Sequence, residues 1–169
     1  TSYALRFTSH FLPIVGLLVF LAGGVWFLAA FRLHRQKSEH FLHLLSTAVE
    51  QGPAAVVITD REGLIFYANP KFERLSGYEL SEVRGKTPRM FKSGATSDAV
   101  YQELWETICS GETWHGQFEN RSKDGSSYHV EAHISPLFNR KKQIEYFIGI
   151  QEDVSDKVAL QHHLERLAT

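Results

Sequence analysis

Between Gly85 and Gly94 the sequence reads GKTPRMFKSG. So many basic side chains beside glycine and proline seldom form core. The stretch reads as a linker, a phosphate grip or the wall of a pocket. Arg89 and Lys92 are the candidate phosphate contacts, and solvated surface explains them equally well. Neither a GxGxxG nor a GxxxxGK loop accompanies them, so no separate nucleotide site is assigned. His129, Glu131 and His133 alternate along one strand face, with His115 near them, and imidazole and carboxylate are good metal ligands. A solvated or dimer-facing strand is the stronger reading there, and no metal is assigned. His162-His163 lie in no helix resembling a phosphoacceptor site. Cys109 stands alone on a helix. No nucleophile–base arrangement emerges, so no catalytic residue is assigned and this stretch of chain is read as non-catalytic.

Local patterning supplies the elements that must position these residues. AAVVITD (54–60) reads as a buried strand, Arg61-Glu62-Gly63 as a turn, and LIFYAN (64–69) as a second strand. Asn69 is placed to cap a short helix in NPKFERLSG, with Pro70 at its favoured first position. YELSEVRG gives another helical turn. TSDAVYQELWETICSG is a longer helix, capped by Thr96 or Ser97, with Val100, Leu104 and Ile108 at four-residue spacing and Tyr101 and Trp105 alongside. Three alternating strands follow in TWHGQFENRS, SSYHVEAHISPLF and QIEYFIGIQED. Short turns join them, so successive strands should pair antiparallel. The expected fold class is α+β: one five-stranded antiparallel sheet with short helices gathered on one face.

The flanks are different. Phe11 to Phe31 is a run of 21 residues without a charged or strongly polar side chain. As a helix it spans roughly 30 Å, the thickness of a bilayer core. It is expected to be a transmembrane helix, with residues 1–10 outside the cytoplasm. Arg32, Arg35 and Lys37 follow it and only Arg6 precedes it, which places the C-terminal side in the cytoplasm of an inner membrane. A chain beginning at Thr1 is expected to be a fragment or a processed product. Residues 32–52 form a helical linker with a partial apolar stripe, ending at Gly52-Pro53. Residues 53–155 are the globular domain. From residue 156 to 169, Leu160, Leu164 and Leu167 carry the rhythm of a coiled coil. A helix in and a helix out imply a module within a signalling rod, homodimeric through those helices. From Ser38 onward 14 Lys/Arg oppose 19 Asp/Glu, a net charge of −5, which does not suggest a nucleic-acid surface. The single cysteine fits a reducing compartment and excludes an intradomain disulfide.

The segments VVITDREGLIFYANPKFERLSGY, EVRGKTPRMFKSG, ELWETICSGETWHGQFENRSKDGSSY and GIQEDVSD, in that order, resemble a PAS domain. The resemblance covers about Ala54 to Asp156. Domains of this family bind flavins, haem, small acids or nothing. Membrane-tethered ones usually precede histidine kinase, cyclic-dinucleotide or chemoreceptor output modules, so a downstream output domain is implied, a histidine kinase being one choice. Haem-binding members commonly use a histidine on the long helix, and SDAVYQELWETICSG has none, which disfavours haem.

Set against the flavin-binding light-oxygen-voltage photosensors, Pro88 stands where the adduct-forming cysteine belongs. That photochemistry is therefore excluded. Arg89 matches an arginine that meets the flavin phosphate, and Lys92 completes the motif. Asn120 matches an asparagine at the isoalloxazine edge, and Gln151 a glutamine near flavin N5. Val130 replaces a second asparagine of those photosensors, so the polar match is incomplete. Strand alternation puts Asn120 on one face with Trp114, Gly116 and Phe118, and Gln151 with Phe147 and Gly149. A planar ring edge in a dry pocket needs paired amide donors and acceptors, which Asn and Gln supply without charge. Gly149 would leave room for the ring. Trp114 with Asn120, lacking an adduct cysteine, is also similar to FAD-binding PAS domains of redox-sensing regulators. The resemblance therefore implies FAD held by Asn120, Gln151, Trp114, Arg89, Phe118, Gly149 and Lys92. A cofactor-free module for dimerisation and relay, or a pocket for another small molecule, remains open beside it.

Overall fold

A computed structural model describes residues 34–168, together with Gly24, Trp26, Phe27, Phe31 and Arg32. The expected membrane span lies mostly outside the described residues, and the segment 1–10 entirely so. Among the described residues no helix is long and apolar enough to cross a membrane. The chain divides into two compact units, Thr1–Ser46 and Thr47–Thr169. Residues 34–51 are helical (α1). In the first unit α1 carries an i,i+4 pair between Arg35 and Glu39, and Phe41, Leu42, Leu44 and Leu45 are exposed.

The second unit contains β1 (Ala55–Asp60), β2 (Ile65–Ala68), α2 (Pro70–Ser76), α3 (Leu80–Val83), a 3₁₀ turn (Pro88–Phe91), α4 (Asp98–Cys109), β3 (Trp114–Arg121), β4 (Ser127–Phe138), β5 (Ile144–Asp153) and α5 (Ser155–Leu167). The five strands form one sheet in the order β2-β1-β5-β4-β3, every neighbouring pair antiparallel. The hairpin pairings follow from short turns. The β1–β5 pairing does not: it joins Ala55 to Gln151 and Val57 to Gly149 across most of the domain.

Local chemistry explains the ends of the helices. Asn69 is fully buried and its side chain makes four hydrogen bonds. Its Oδ1 accepts from Phe72 N (3.0 Å), capping α2, and from Val56 N (2.8 Å) on β1. Its Nδ2 donates to the carbonyls of Val49 (2.8 Å) and Ala54 (3.0 Å). One side chain thus ties together the end of α1, the first strand and the first short helix. Gly77 ends α2 in the left-handed conformation (φ 74°), where a Cβ is unfavourable. Glu79 and Glu82 form a capping box on α3. At α4 the cap differs from expectation. Ser97 holds the N-cap position without a side-chain capping bond. The Thr96 hydroxyl instead accepts from Glu119 N on β3 (3.0 Å), because the loop before α4 runs along that strand.

Two apolar clusters fill the space between sheet and helices. One is built from β1, β2, α2, α3 and the 3₁₀ turn around Phe72, which meets Phe91 edge-on at 5.2 Å. The other packs Leu104 and Ile108 of α4 against Trp114, Phe118, Val130 and Phe147. The opposite sheet face exposes Phe66 on β2, Tyr146 and Ile150 on β5, and Leu137 on β4 opposite Tyr146. Toward β3 and β4 it presents His115 and His133, whose rings lie 4.1 Å apart. No cluster of three or more potential metal ligands converges among the described residues.

Candidate functional site

A cavity of about 650 Å³ lies between the two clusters. Its floor is the inner sheet face, with Val57 and Thr59 from β1, Phe147, Gly149 and Gln151 from β5, Ile134 from β4, and Phe118 and Asn120 from β3. Tyr101, Leu104, Trp105 and Ile108 of α4 close one side. Thr87, Pro88, Arg89, Phe91 and Lys92 close another. The stretch GKTPRMFKSG is therefore a wall of this cavity and not a linker.

Hydrogen bonding at both of its ends gives it that place. Near its start, Gly85 N donates to Ile65 O (2.7 Å) and Ile65 N to Lys86 O (2.9 Å), beside edge strand β2. Near its end, Lys92 pairs with Asn120, the Ser93 hydroxyl donates to Glu119 O (2.8 Å), and Arg121 donates to Ser93 O (3.0 Å), all on the other edge strand, β3. The segment thus crosses the inner face from edge to edge. Buried Phe91 anchors its middle between Phe72 and Tyr78.

Of the seven residues singled out from sequence, Asn120, Gln151, Arg89, Phe118, Gly149 and Lys92 line this cavity. Trp114 does not. Its ring lies flat over Gly116, where an added Cβ would come within 2.4 Å of the ring. It stacks on Phe118 at 5.0 Å and 26°. Phe118, stacked in turn on Tyr101 at 5.5 Å and 11°, is the member of that row reached from α4. Gly116 leaves room for the indole to lie down, so Trp114 is core.

Polar atoms on the floor and in the core beside it are incompletely satisfied. Among the described residues three buried side-chain atoms lack a hydrogen-bond partner: Gln151 Oε1, Tyr128 Oη and Trp114 Nε1. Buried unpaired polar atoms are costly and call for an explanation. Tyr128 faces Asn120 across the β3–β4 ladder. Burial pushes its hydroxyl up to about 12; the neighbouring Asn120 amide opposes this, but not from hydrogen-bonding geometry. Burial likewise raises Tyr101, only partly opposed by the Thr96 hydroxyl. The rim is charged. Lys92 Nζ lies 3.3 Å from the centre of the Tyr101 ring and 3.6 Å from Asp98 Oδ1. Arg89 and Glu62 also border the cavity.

Such a site suits a flat ring with a polar edge and an anionic tail. The unpaired Gln151 carbonyl and the buried Asn120 amide offer the edge its contacts. A Cβ on Gly149 would meet only ordinary contacts, 3.8 Å from Ile134 Cγ1 and from Val57 O. Protein packing therefore does not require glycine there, and a side chain would stand over the cavity floor. These residues fit a flavin.

Sequence reasoning missed the α4 contribution and Thr59. Tyr101, Trp105 and Ile108 recur at four- and three-residue spacing and so share a stripe, which was visible. What the spacing lacked was the partner. Trp105 meets Phe147 edge-on at 5.9 Å and closely approaches Gly63 in the β1–β2 turn, a contact made only when β1 and β5 are neighbours.

Residues 43–154 match the sequence profile of the PAS fold. Over 126 residues the chain is 36% identical to the nitrogen fixation regulatory protein of Klebsiella pneumoniae, covering 75% of this chain and 26% of that protein. It is 32% identical over 99 residues to the aerotaxis receptor of Escherichia coli K12, covering 59% of this chain and 19% of that one. Among solved structures, an RNA-binding light-oxygen-voltage receptor superposes with a TM-score of 0.67 at 29% identity, over 75% of this chain and 36% of that chain. The chain thus spans about a quarter of the length of its nitrogen-fixation relative.

Proposed function

The chain belongs to the PAS family, and on that premise we propose that its globular domain is a flavin-binding sensory input module, with FAD as the cofactor. The observation that carries this reading is the buried, unpaired Gln151 carbonyl on the cavity floor, beside a glycine that packing does not require. Asn120 and Gln151 hold the ring edge, Phe118 and Gly149 bound the ring, and Arg89 and Lys92 face the phosphates. The resemblance of Trp114 and Asn120 to redox-sensing PAS domains favours FAD; Trp114 acts by supporting Phe118.

A bound flavin supplies reversible two-electron redox chemistry with a proton gained on the ring. Gln151 carries one donor group and one acceptor on the same amide. A switch of Gln151 from donating to accepting would rotate that amide or shift β5. Gln151 lies two residues before Asp153, whose carboxylate accepts from Ser155 N (3.0 Å) at the start of α5. Val154 N donates to His129 O (2.9 Å), and the Ser155 hydroxyl accepts from His129 N (2.9 Å). Motion of β5 is thereby delivered to α5, and a small energy difference between two packings suffices.

In the full protein this module sits on the cytoplasmic side of an inner membrane, anchored by residues 11–31. It pairs with a second copy through its flanking helices and drives a downstream output domain such as a histidine kinase. Exposed Leu160, Leu164 and Leu167 on α5 support the pairing. The visible absorption spectrum of gently purified protein tests the cofactor, with chromatography of the ligand released by boiling. Flavin absorption and recovered FAD are expected. Protein from FAD-rich cells that carries no chromophore sinks the proposal. FAD retained and redox response unchanged in both Asn120→Ala and Gln151→Ala would sink the roles given to those amides.

A further inference from the structure

The Lys92 ammonium rests in a particular way at the cavity rim. Its backbone is fixed, since Lys92 N donates to Arg89 O (3.2 Å) and the residue pairs with Asn120 on β3. Only the side chain can move. Its ammonium lies over the Tyr101 ring and 3.6 Å from Asp98, whose side chain is fully exposed while that of Lys92 is 29% exposed. An exposed carboxylate is a weak partner, since solvent screens it and holding it costs side-chain entropy. A phosphate carries more charge and more acceptor oxygens, and lysine binds it as a point charge. Beneath Lys92, Tyr101 stacks on Phe118 and Phe118 on Trp114. The row runs from the charged rim into the core and ends at an indole whose N–H has no partner.

We propose that Lys92, Asp98 and Tyr101 form an anion-exchange latch: a phosphate-bearing ligand takes the ammonium from Asp98 and Tyr101, and the relaxed Tyr101 ring passes that change through Phe118 to Trp114. Asp98 is then a specificity-determining residue that competes with the ligand's anionic tail. The latch makes the cavity respond to the tail of its ligand separately from the ring. It rests on the flavin reading only for what carries the phosphate.

The experiment uses the 169-residue chain in detergent, freed of ligand, as wild type, Lys92→Gln and Asp98→Asn. Riboflavin, riboflavin 5′-phosphate and FAD are titrated by flavin fluorescence, and inorganic pyrophosphate by near-ultraviolet circular dichroism of the aromatic row. Lys92→Gln is expected to weaken the two phosphate-bearing flavins about tenfold, the loss of one charged contact. Asp98→Asn is expected to tighten them about threefold, the release of one exposed ion pair. Riboflavin should change with neither. Pyrophosphate should alter the aromatic signal of wild type, at lower concentration in Asp98→Asn, and not at all in Lys92→Gln. A Lys92-dependent pyrophosphate response without flavin binding keeps the latch and removes the flavin reading. Flavins that bind alike in all three proteins, or variants that shift riboflavin as much as FAD, overturn the latch and leave that reading standing. No response to any of the four overturns both.

Discussion

The two clusters that flank the cavity are built differently. The one around Phe72 is organised by a saturated polar group. Asn69 is fully buried, and both its carbonyl and its amide are used twice. The one around Trp114 and Phe118 lies with the three unpaired polar atoms, two of them on its own aromatic side chains and the third on Gln151 of the adjoining strand. Burial alone does not explain the contrast, because both clusters are well covered. One half of the domain spends its buried polar chemistry on fixing its shape. The other leaves that chemistry available to a ligand or to a second arrangement. The proposed sensory role needs both: a frame to push against and a side that can change.

Substitutions can break or sharpen this contrast. The largest effect is expected from Asn69→Ala, which leaves two backbone N–H groups and two carbonyls without their side-chain partner. A loss of about 3–5 kcal/mol in urea unfolding is expected. A loss no greater than that of an ordinary helix cap would show that the frame does not depend on this residue. Gly116→Ala comes next. Its Cβ would overlap the Trp114 ring, so the indole must move, at about 1–3 kcal/mol. Unfolding midpoint and tryptophan emission should change together. An unchanged emission spectrum would mean that the indole does not lie over Gly116.

On the unsatisfied side the sign should reverse. Tyr128→Phe removes a buried hydroxyl without a partner and should leave stability unchanged or raise it by about 1 kcal/mol. Its pH dependence follows from a phenol raised from 10.0 to about 12 in the folded state. A raised acid is favoured in its neutral form, so stability holds below pH 10 and falls as pH rises toward 12. Unfolding curves of wild type and Tyr128→Phe should separate in that window. The smallest effect is at the β3–β4 turn. Hydrogen bonds from Ser122 and Ser126 hold the Asp124 carboxyl down to about 2, from 3.8. Its depressed value means a contribution present above pH 3.8 and lost as pH falls toward 2. Asp124→Ala should flatten that part of the acid-unfolding curve. Because the group is exposed, a change as large as that of Gly116→Ala would contradict this account.

The candidate site was legible to the extent that it depends on alternation. Asn120 and Phe118 were placed on one face by the strand pattern, as were Gln151 and Gly149, and the structure puts all four on the cavity floor. Trp114 obeyed the same rule and still left the site. Alternation chooses a face, whereas the direction of a large ring depends on where a neighbour leaves space, and here Gly116 does. The basic wall was legible as irregular and charged. That it spans the sheet from β2 to β3 was not, because its bonds reach residues 20 or more positions away, such as Gly85 to Ile65 at one end and Ser93 to Glu119 at the other.

The sequence by itself determined the local elements: the Asn-Pro helix start, the glycine stops, the three alternating strands and the absence of a thiol at Pro88. These follow from backbone sterics and periodicity, which act within a few residues. Only the tertiary structure decided that β1 lies against β5. That pairing sets Gly149 opposite Val57 and turns separate inward-facing rows into one cavity floor. Patterning fixes which face a side chain takes, while strand order is settled by the packing of the whole sheet against its helices.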